Sequence, residues 1–406
     1  MRVVVAAIGS RGDVAPCAHF ADRLAAAGHE VVLLTHAAYA DAASASVLVV
    51  SVDSDPEVLM AGPAAHALRR ADVRALNRTR DLFADFVHAA HDPVLPLLSD
   101  ADVLVATTFA LAPVDAALRR GVPVVRAHLW PEYAGPQDPL ALVPYAGRLP
   151  APARRAVRRA LDQVGRHLGG FEGWWERGRL HVVPRHPVTL TANTLGSLYA
   201  FSPALLASPP PEGVVTGWWT AHARGTISEG TARALAGGDA WIHVGFGSMH
   251  QKDPDALLDL VSHACRRAGV RAIVQLGERR GSSHPNLMCV GEEPHADLLP
   301  RVALSVHHGG AGTTGSVVRA GIPSVVVPHF ADQFHWGSRL RALGVAARPL
   351  ARPFLTADRL ATRLADALAP AMARRAADLA RRVAGEDGTG RAVRQLEAWV
   401  SGSGPA

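Results

Sequence analysis

The stretch from His307 to Gln333, HHGGAGTTGSVVRAGIPSVVVPHFADQ, decides the fold. It follows the apolar run VALSV, which is typical of a buried strand, and its glycines permit a tight turn before a helix-like segment. A Gly-Ile-Pro stop and a second strand-like run, SVVVP, come next. A strand, a turn, a helix and a second strand in this order predict one βαβ unit of a parallel α/β sheet.

The same order of elements recurs in both halves of the chain. Strand-like runs of the first half are VVVAAIG, HEVVLLT and ADVLVATT, and those of the second include AWIHVGFGS and VRAIVQLG. Because 406 residues exceed one ordinary core, we predict an α/β protein of two doubly wound, Rossmann-like domains with parallel sheets. The run Pro209–Pro211 favours an extended linker, so the predicted domains span residues 1–215 and 216–385. Residues 386–406 are predicted to form a helix that packs back toward the first domain.

The composition argues against a membrane-spanning, disulfide-rich, zinc-binding or nucleic-acid-binding protein. No run reaches the roughly 18–20 apolar residues of a membrane span, and the three distant cysteines encode neither a disulfide framework nor a zinc site, so we expect a cytoplasmic protein. The net charge is +6, but Lys252 is the only lysine, so we attribute the charge to a compositional bias toward arginine rather than to nucleic-acid binding. The arginine cluster at 154–159 leaves weak contact with a membrane surface open, although a solvated helix face is favoured.

The quoted stretch has the chemistry of a phosphate site followed by a sugar site. Its glycines let backbone N–H groups approach an anion, and the helix starting at Thr313 and Thr314 has a positive dipole end. His307, at the strand end, is predicted to donate to a phosphate oxygen; a tight turn alone would explain the glycines but not this histidine. Asp332 and Gln333 follow the next strand and offer acceptors and an amide donor for neighbouring hydroxyls. A nucleotide-sugar satisfies both sites.

Together these motifs resemble the donor-binding signature of glycosyltransferases with the GT-B fold. The resemblance is to family 1 enzymes that act on small lipophilic acceptors, such as actinobacterial antibiotic (glycopeptide-type) and sterol glycosyltransferases. GSRGDVAP, VGFGSM and EEPHADLLPR resemble further segments of that family. The resemblance implies two domains facing across a cleft, the first for the acceptor and the second for the nucleotide-sugar donor.

The family's site residues transfer to matching positions of this sequence. The residues implied for the donor diphosphate are Ser10, Arg11, Ser248, His307, Gly310, Gly312 and Thr313, and those implied for the sugar are Asp332 and Gln333. Glu292 stands where the plant branch has a base-stacking tryptophan, so base recognition is assigned to the region of Glu293, Pro294 and His295.

Asp13, in GSRGDVAP, is the candidate catalytic base, at a place where many family members have a histidine. Its alternative role is the N-cap of a helix beginning near Val14, since aspartate is a favoured cap and a weak base at neutral pH. His128, Trp130 and Trp174 are candidates for the acceptor pocket. For these three residues, ordinary packing remains the alternative.

The resulting hypothesis is an inverting glycosyltransferase that uses dTDP-deoxyhexose or UDP-hexose and needs no metal. Its acceptor would be a polyketide, macrolide, phenolic or peptide antibiotic. Two alternatives stay open: a nucleotide-sugar epimerase of the same fold, and a non-catalytic auxiliary partner of a glycosyltransferase. The sequence leaves the oligomeric state undetermined.

Overall fold

The computed structural model describes residues 1–54, 56, 85–131, 150, 152–153, 156, 194–210, 212–220, 225–238, 240–247, 253–277, 284–329 and 332–402. The chain divides into two compact units. The first comprises Met1–Pro203, Ser208–Thr220 and Asp387–Ala406, and the second comprises Ala204–Ala207 and Ala221–Glu386. The domain bounds derived above from the sequence stay predictions.

Within the described residues, the first unit contains a sheet of seven parallel strands. These are β1 (Arg2–Ala6), β2 (Glu30–His36), β3 (Leu48–Val52), β4 (Val103–Ala106), β5 (Val124–His128), β6 (Gly196–Tyr199) and β7 (Val214–Val215). Their order across the sheet is β3-β2-β1-β4-β5-β6-β7. The helices of this unit with described bounds are α1 (Arg11–Ala26), α2 (His91–Val94), α3 (Leu111–Arg119) and, from the far end of the chain, α11 (Gly388–Val400).

The second unit repeats this topology with five parallel strands in its described part. These are β8 (Trp241–Gly245), β9 (Arg271–Gln275), β10 (Leu287–Val290), β11 (Ser305–His307) and β12 (Ser324–Val326), in the order β10-β9-β8-β11-β12. Its helices are α4 (Glu229–Ala236), α5 (Pro254–Ala268), α6 (His295–Leu298), α7 (Ala311–Ala320), α8 (Gln333–Ala342), α9 (Ala357–Ala367) and α10 (Pro370–Val383).

The first sheet is covered on both faces, which explains its uninterrupted valine runs. Val4 and Ala6 face one core together with α3, whereas Val3 and Val5 face the other with α1 and α11. Helix α11 is held against the loop between α1 and β2 by the hydrogen bond between His29 Nε2 and Glu397 Oε1 at 2.9 Å. Residues close to both ends of the described chain therefore share one core.

The fold class predicted from the sequence is confirmed: both sheets are parallel and doubly wound. Two details differ. The strands β6 and β7 extend the first sheet beside the proline run, where the sequence indicated only a connection, and α1 begins at Arg11 rather than near Val14. No helix among the described residues is long and apolar enough to cross a bilayer.

Candidate functional site

Each sheet reverses its strand order at one point, and the candidate residues follow the strands that meet there. The reversal lies between β1 and β4 in the first sheet and between β8 and β11 in the second. Ligands of open α/β sheets bind outside the carboxyl ends of strands at such points. In the second sheet Gly245 pairs with His307, so the loops that start at Phe246 and His308 leave the same edge side by side.

His307, predicted to contact the diphosphate, lies at the end of β11 with its ring hydrogen-bonded inside the protein. Its ring is fully buried; Nδ1 accepts the Gly309 N–H at 3.2 Å, and Nε2 therefore carries the proton and donates to Ser324 Oγ at 3.2 Å. Burial, with smaller contributions from the neighbouring histidines, lowers its pKa well below the ordinary value. The neutral ring fixes the turn, both of its nitrogens have partners within the protein, and its role toward a phosphate stays a prediction.

His308 is the histidine that lies among the glycines. A Cβ placed on Gly310 would come within 2.4 Å of its Nε2, and one placed on Gly247 within 3.1 Å of its Cε1. Its Nδ1 is buried without a hydrogen-bond partner among the described residues. Burial, followed by the charge of His295, lowers its pKa to about 4, so the ring is neutral at pH 7 and can donate one hydrogen bond.

The amino end of α7 adds backbone N–H donors next to His308. Gly310 is the N-cap, and the Thr314 N–H is the first to bond back, to the Gly310 carbonyl at 2.9 Å. The N–H groups of residues 311–313 accordingly lack acceptors within the helix. No atom of the described residues lies within 4 Å of a Cβ placed on Gly312, so the first turn has open space beside it. Together with the helix dipole, this end is suited to an anion.

The predicted sugar-binding pair lies at the start of α8. Asp332 is the N-cap residue, and its Oδ2 accepts from Trp336 Nε1 at 3.1 Å. Gln333 is buried, and its Oε1 accepts the His329 N–H at 2.8 Å. Both side chains thus have one oxygen committed to holding this loop, and their role toward a sugar stays a prediction.

The segment predicted to lie near a nucleobase is connected to two other elements. The buried carboxylate of Glu293 accepts from the Ser228 N–H at 2.9 Å, the Ser228 hydroxyl at 2.5 Å and the Thr231 hydroxyl at 2.7 Å, which holds the start of α4. Pro294 is the N-cap residue of α6. His295 Nε2 lies 3.3 Å from the Oε1 of Gln275, a residue that the sequence analysis did not single out.

In the first unit, Asp13 lies in the first turn of α1, as the third residue after the cap. Ser10 is the N-cap, and its N–H and hydroxyl both donate to Asp13 Oδ2, at 2.7 and 2.8 Å. The structure therefore corrects the alternative in which Asp13 itself caps the helix: it is the reciprocal partner in a capping box. Arg11 is exposed beside it on the same turn.

Two residues of neighbouring strands hold the loop before Asp13, and sequence reasoning identified neither. The Gly9 N–H donates to Nε2 of the buried His36, at the end of β2, at 3.0 Å. The Ile8 N–H donates to Thr107 Oγ1, beyond β4, at 3.1 Å. Residues from the strands on both sides of β1 therefore hold the backbone that leads to Asp13.

The described acceptor-pocket candidates belong to an aromatic edge of the first sheet. His128 ends β5 and stacks on Tyr199, which ends β6, with 4.9 Å between ring centroids. Its Nε2 lies 3.3 Å from Ser197 Oγ, and Trp130 is partly exposed two residues further on. Trp174 and Ser248, predicted for the acceptor and the diphosphate, lie outside the described residues.

Known proteins resemble this chain over both sheets. Residues 3–127 match the glycosyltransferase family 28 N-terminal domain, and residues 271–398 match the erythromycin biosynthesis protein CIII-like C-terminal domain; the two matches cover more than half of the chain. A sterol 3-beta-glucosyltransferase of Neosartorya fischeri is 27% identical over 418 residues, which cover 98% of this chain and 29% of that protein. The chain thus spans less than a third of that relative.

Two solved structures extend the comparison. The calicheamicin glycosyltransferase CalG4 is 19% identical, with a TM-score of 0.69 and 100% of both chains covered. The spinosyn rhamnosyltransferase SpnG, complexed with thymidine diphosphate, is 22% identical, with a TM-score of 0.64 and with 98% of this chain and 100% of that chain covered. Each of the two doubly wound sheets thus matches a different glycosyltransferase-type family model, and the chain has the two-domain GT-B fold of these solved glycosyltransferases.

Proposed function

We propose that this chain is an inverting glycosyltransferase that moves a hexose or deoxyhexose from a nucleoside diphosphate to a hydroxyl of a small lipophilic acceptor. The observation that carries the proposal is the open amino end of α7, where N–H groups without an acceptor inside the helix stand beside the neutral ring of His308. Such donors stabilise the negative charge that develops on a leaving diphosphate. The proposal includes no divalent metal, because these donors occupy the role that a cation would take.

The names of the relatives support the classes of donor and acceptor. SpnG is a rhamnosyltransferase complexed with thymidine diphosphate, which supports a dTDP-deoxyhexose as the donor. The fungal relative is a glucosyltransferase, which keeps a UDP-hexose in the proposal, and its sterol acceptor supports a largely apolar acceptor. Polyketide, macrolide, phenolic and peptide natural products belong to the same range of acceptors.

The chemistry assigned to Asp13 is that of a general base. Its carboxylate would take the proton of the acceptor hydroxyl while the hydroxyl oxygen forms a bond to the anomeric carbon of the sugar. The bond from that carbon to the diphosphate oxygen breaks on the opposite face, and its electron pair leaves with the diphosphate. The two hydrogen bonds from Ser10 support this role because they hold Oδ2 in one orientation.

A mass-spectrometric screen tests the proposal. Purified protein is incubated with dTDP- and UDP-sugars and a panel of polyketide, phenolic and sterol acceptors, and a new glycoside with inverted anomeric configuration is expected. Donor incubated alone is the control for an epimerase, and a thermal shift with nucleoside diphosphate but no product in any combination would indicate an auxiliary protein.

Substitution of Asp13 tests the mechanism. Asp13→Asn keeps an oxygen that can accept from Ser10 but removes the base, so kcat should fall by about 100-fold or more while the folded protein is retained. His19→Gln, on the same helix, is the matched control and should keep kcat within a few-fold. If Asp13→Asn keeps full activity, Asp13 is not the base. If His19→Gln loses as much activity as Asp13→Asn, the loss reflects disturbance of α1, and the assignment of Asp13 fails.

A further inference from the structure

Gln275 lies at the carboxyl end of β9 and contacts four residues in three other parts of the second unit. Its Oε1 is 2.7 Å from His243 Nε2 and 3.3 Å from His295 Nε2, and its Nε2 donates to the carbonyl oxygens of Gly291 and Glu293, both at 3.4 Å. One amide thus links strand β8 and helix α6 to the loop that follows β10.

The direction of every hydrogen bond in this network is determined. The carbonyl oxygens of Gly291 and Glu293 can only accept, so the amide NH2 group must face them and Oε1 must face the two histidines. His243 then carries its proton on Nε2, and its Nδ1 accepts from the Ser305 hydroxyl at 2.8 Å. Burial lowers the pKa of His243 to about 3, which keeps this tautomer neutral.

The loop held by Gln275 lies at the edge where the donor is proposed to bind. It follows β10, and all strands of this sheet are parallel, so its residues share an edge with the amino end of α7. The rings of His295 and His243 lie 5.5 Å apart between centroids, so the start of α6 lies beside β8, the strand that pairs with β11. The sugar and the nucleoside extend from opposite ends of a diphosphate, and the β12 side carries Asp332 and Gln333. The β9 and β10 side is therefore left for the nucleoside.

We propose that Gln275 is a positioning residue for the nucleobase: it fixes the backbone of residues 291–295 against β8 and β9 so that this segment can recognise the base. This inference rests on the proposed function. Gln275 acts through the loop and is not assigned contact with the base or the reacting atoms. Its removal should consequently weaken binding of the nucleoside part while binding of the diphosphate part is retained.

The test compares ligands with and without a base. Isothermal titration of the full chain gives the Kd values for dTDP, UDP and inorganic pyrophosphate, in the wild type and in Gln275→Leu. The Kd of the preferred nucleoside diphosphate should rise about tenfold in Gln275→Leu, the effect of losing one or two positioning hydrogen bonds. The Kd for pyrophosphate should stay within twofold.

Asn286→Leu is the matched control. Asn286 and Ser262 form a polar pair in the same unit, with hydrogen bonds of 2.8 and 2.9 Å, and Asn286 precedes β10 at the opposite edge of the sheet. This variant should lose stability but keep both Kd values. If Gln275→Leu does not fold, Gln275→Glu replaces it, because a carboxylate keeps acceptors for the histidines and loses the donors to the loop.

The outcomes separate the inference from the proposed function. An unchanged nucleotide Kd in the folded Gln275 variant overturns the inference and leaves the proposed function intact. An equal loss for nucleotide and pyrophosphate also overturns it, since Gln275 would then support the whole site. If the wild type binds neither dTDP nor UDP, the proposed donor site is wrong, and the inference fails with it.

Discussion

Replacing Gly9 with alanine should destabilise the first unit by displacing the carboxylate of Asp13. Gly9 has φ +144°, in a region that is strained for residues with a side chain. A Cβ at this position would lie 2.5 Å from Asp13 Oδ2 and 2.9 Å from Asp13 Cβ. The substitution therefore combines backbone strain with a collision in the first turn of α1.

The magnitude follows from these two contributions. Backbone strain of this kind costs about 1–3 kcal/mol. Moving the carboxylate breaks the two hydrogen bonds that Asp13 Oδ2 accepts from Ser10, at 2.7 and 2.8 Å, and each bond to a charged group contributes about 1.5 kcal/mol or more. Partial relaxation of the turn recovers some of this energy, so we expect about 2 kcal/mol beyond the strain itself.

Urea unfolding followed by circular dichroism measures the effect, with Gly28→Ala as the control. Gly28 also has a positive φ, +88°, but no atom of the described residues lies within 4 Å of a Cβ placed on it. Both variants carry strain, and only Gly9→Ala disturbs Asp13. If the two variants lose the same free energy of unfolding, the contact between Gly9 and Asp13 does not hold this turn, and the positioning assigned to Asp13 is refuted.

Three further predictions concern other parts of the structure. Burial lowers the pKa of His243 from 6.5 to about 3, so between these pH values the unfolded chain binds a proton that the folded protein does not. The free energy of unfolding should therefore decrease by about 1.4 kcal/mol for each pH unit that the pH falls below 6.5. His243→Asn should remove this part of the pH dependence, as measured by urea unfolding at pH 7, 6 and 5. Trp219 is fully buried and stacks on Phe20 with 4.4 Å between ring centroids, so Trp219→Ala should cost about 3–5 kcal/mol of unfolding free energy, measured by calorimetry. Glu293→Gln replaces an acceptor of three hydrogen bonds by an amide with one oxygen, and a loss of about 1–2 kcal/mol is expected in thermal unfolding; no loss would mean that the carboxylate does not anchor α4.

The sequence predicted strands well because both faces of each sheet are covered. Runs such as VVVA, at residues 3–6, are apolar at every position, and this pattern can be recognised without knowing which strands lie beside it. The turn after β11 was found for a similar reason, since its glycines, helix start and following strand are consecutive in the chain. These features depend on local chemistry, which a single sequence contains.

The sequence alone did not show which of His307 and His308 faces the protein interior, because this depends on contacts with a neighbouring strand. Adjacent side chains on a strand point to opposite faces, so one of the two had to face the protein interior. Which one did so was decided by Ser324, on the neighbouring strand β12. The capping box of Ser10 and Asp13 had a local signal, a serine followed three residues later by an acidic residue, but the proline at position 16 favoured a later helix start.

The two loops that carry the candidate site residues share one hydrogen-bonding arrangement, in which a buried histidine holds the backbone of the turn. In the first unit the Gly9 N–H donates to an imidazole nitrogen of His36, and in the second the Gly309 N–H donates to one of His307. In each case a buried imidazole accepts from the glycine of a strand-to-helix turn, which a protonated ring cannot do. His307 therefore belongs with His36 as a support of the backbone. In the proposed function the side chains that act on substrate are Asp13 after one turn and His308 within the other, so we expect substitutions of His307 to affect folding before they affect binding of the diphosphate.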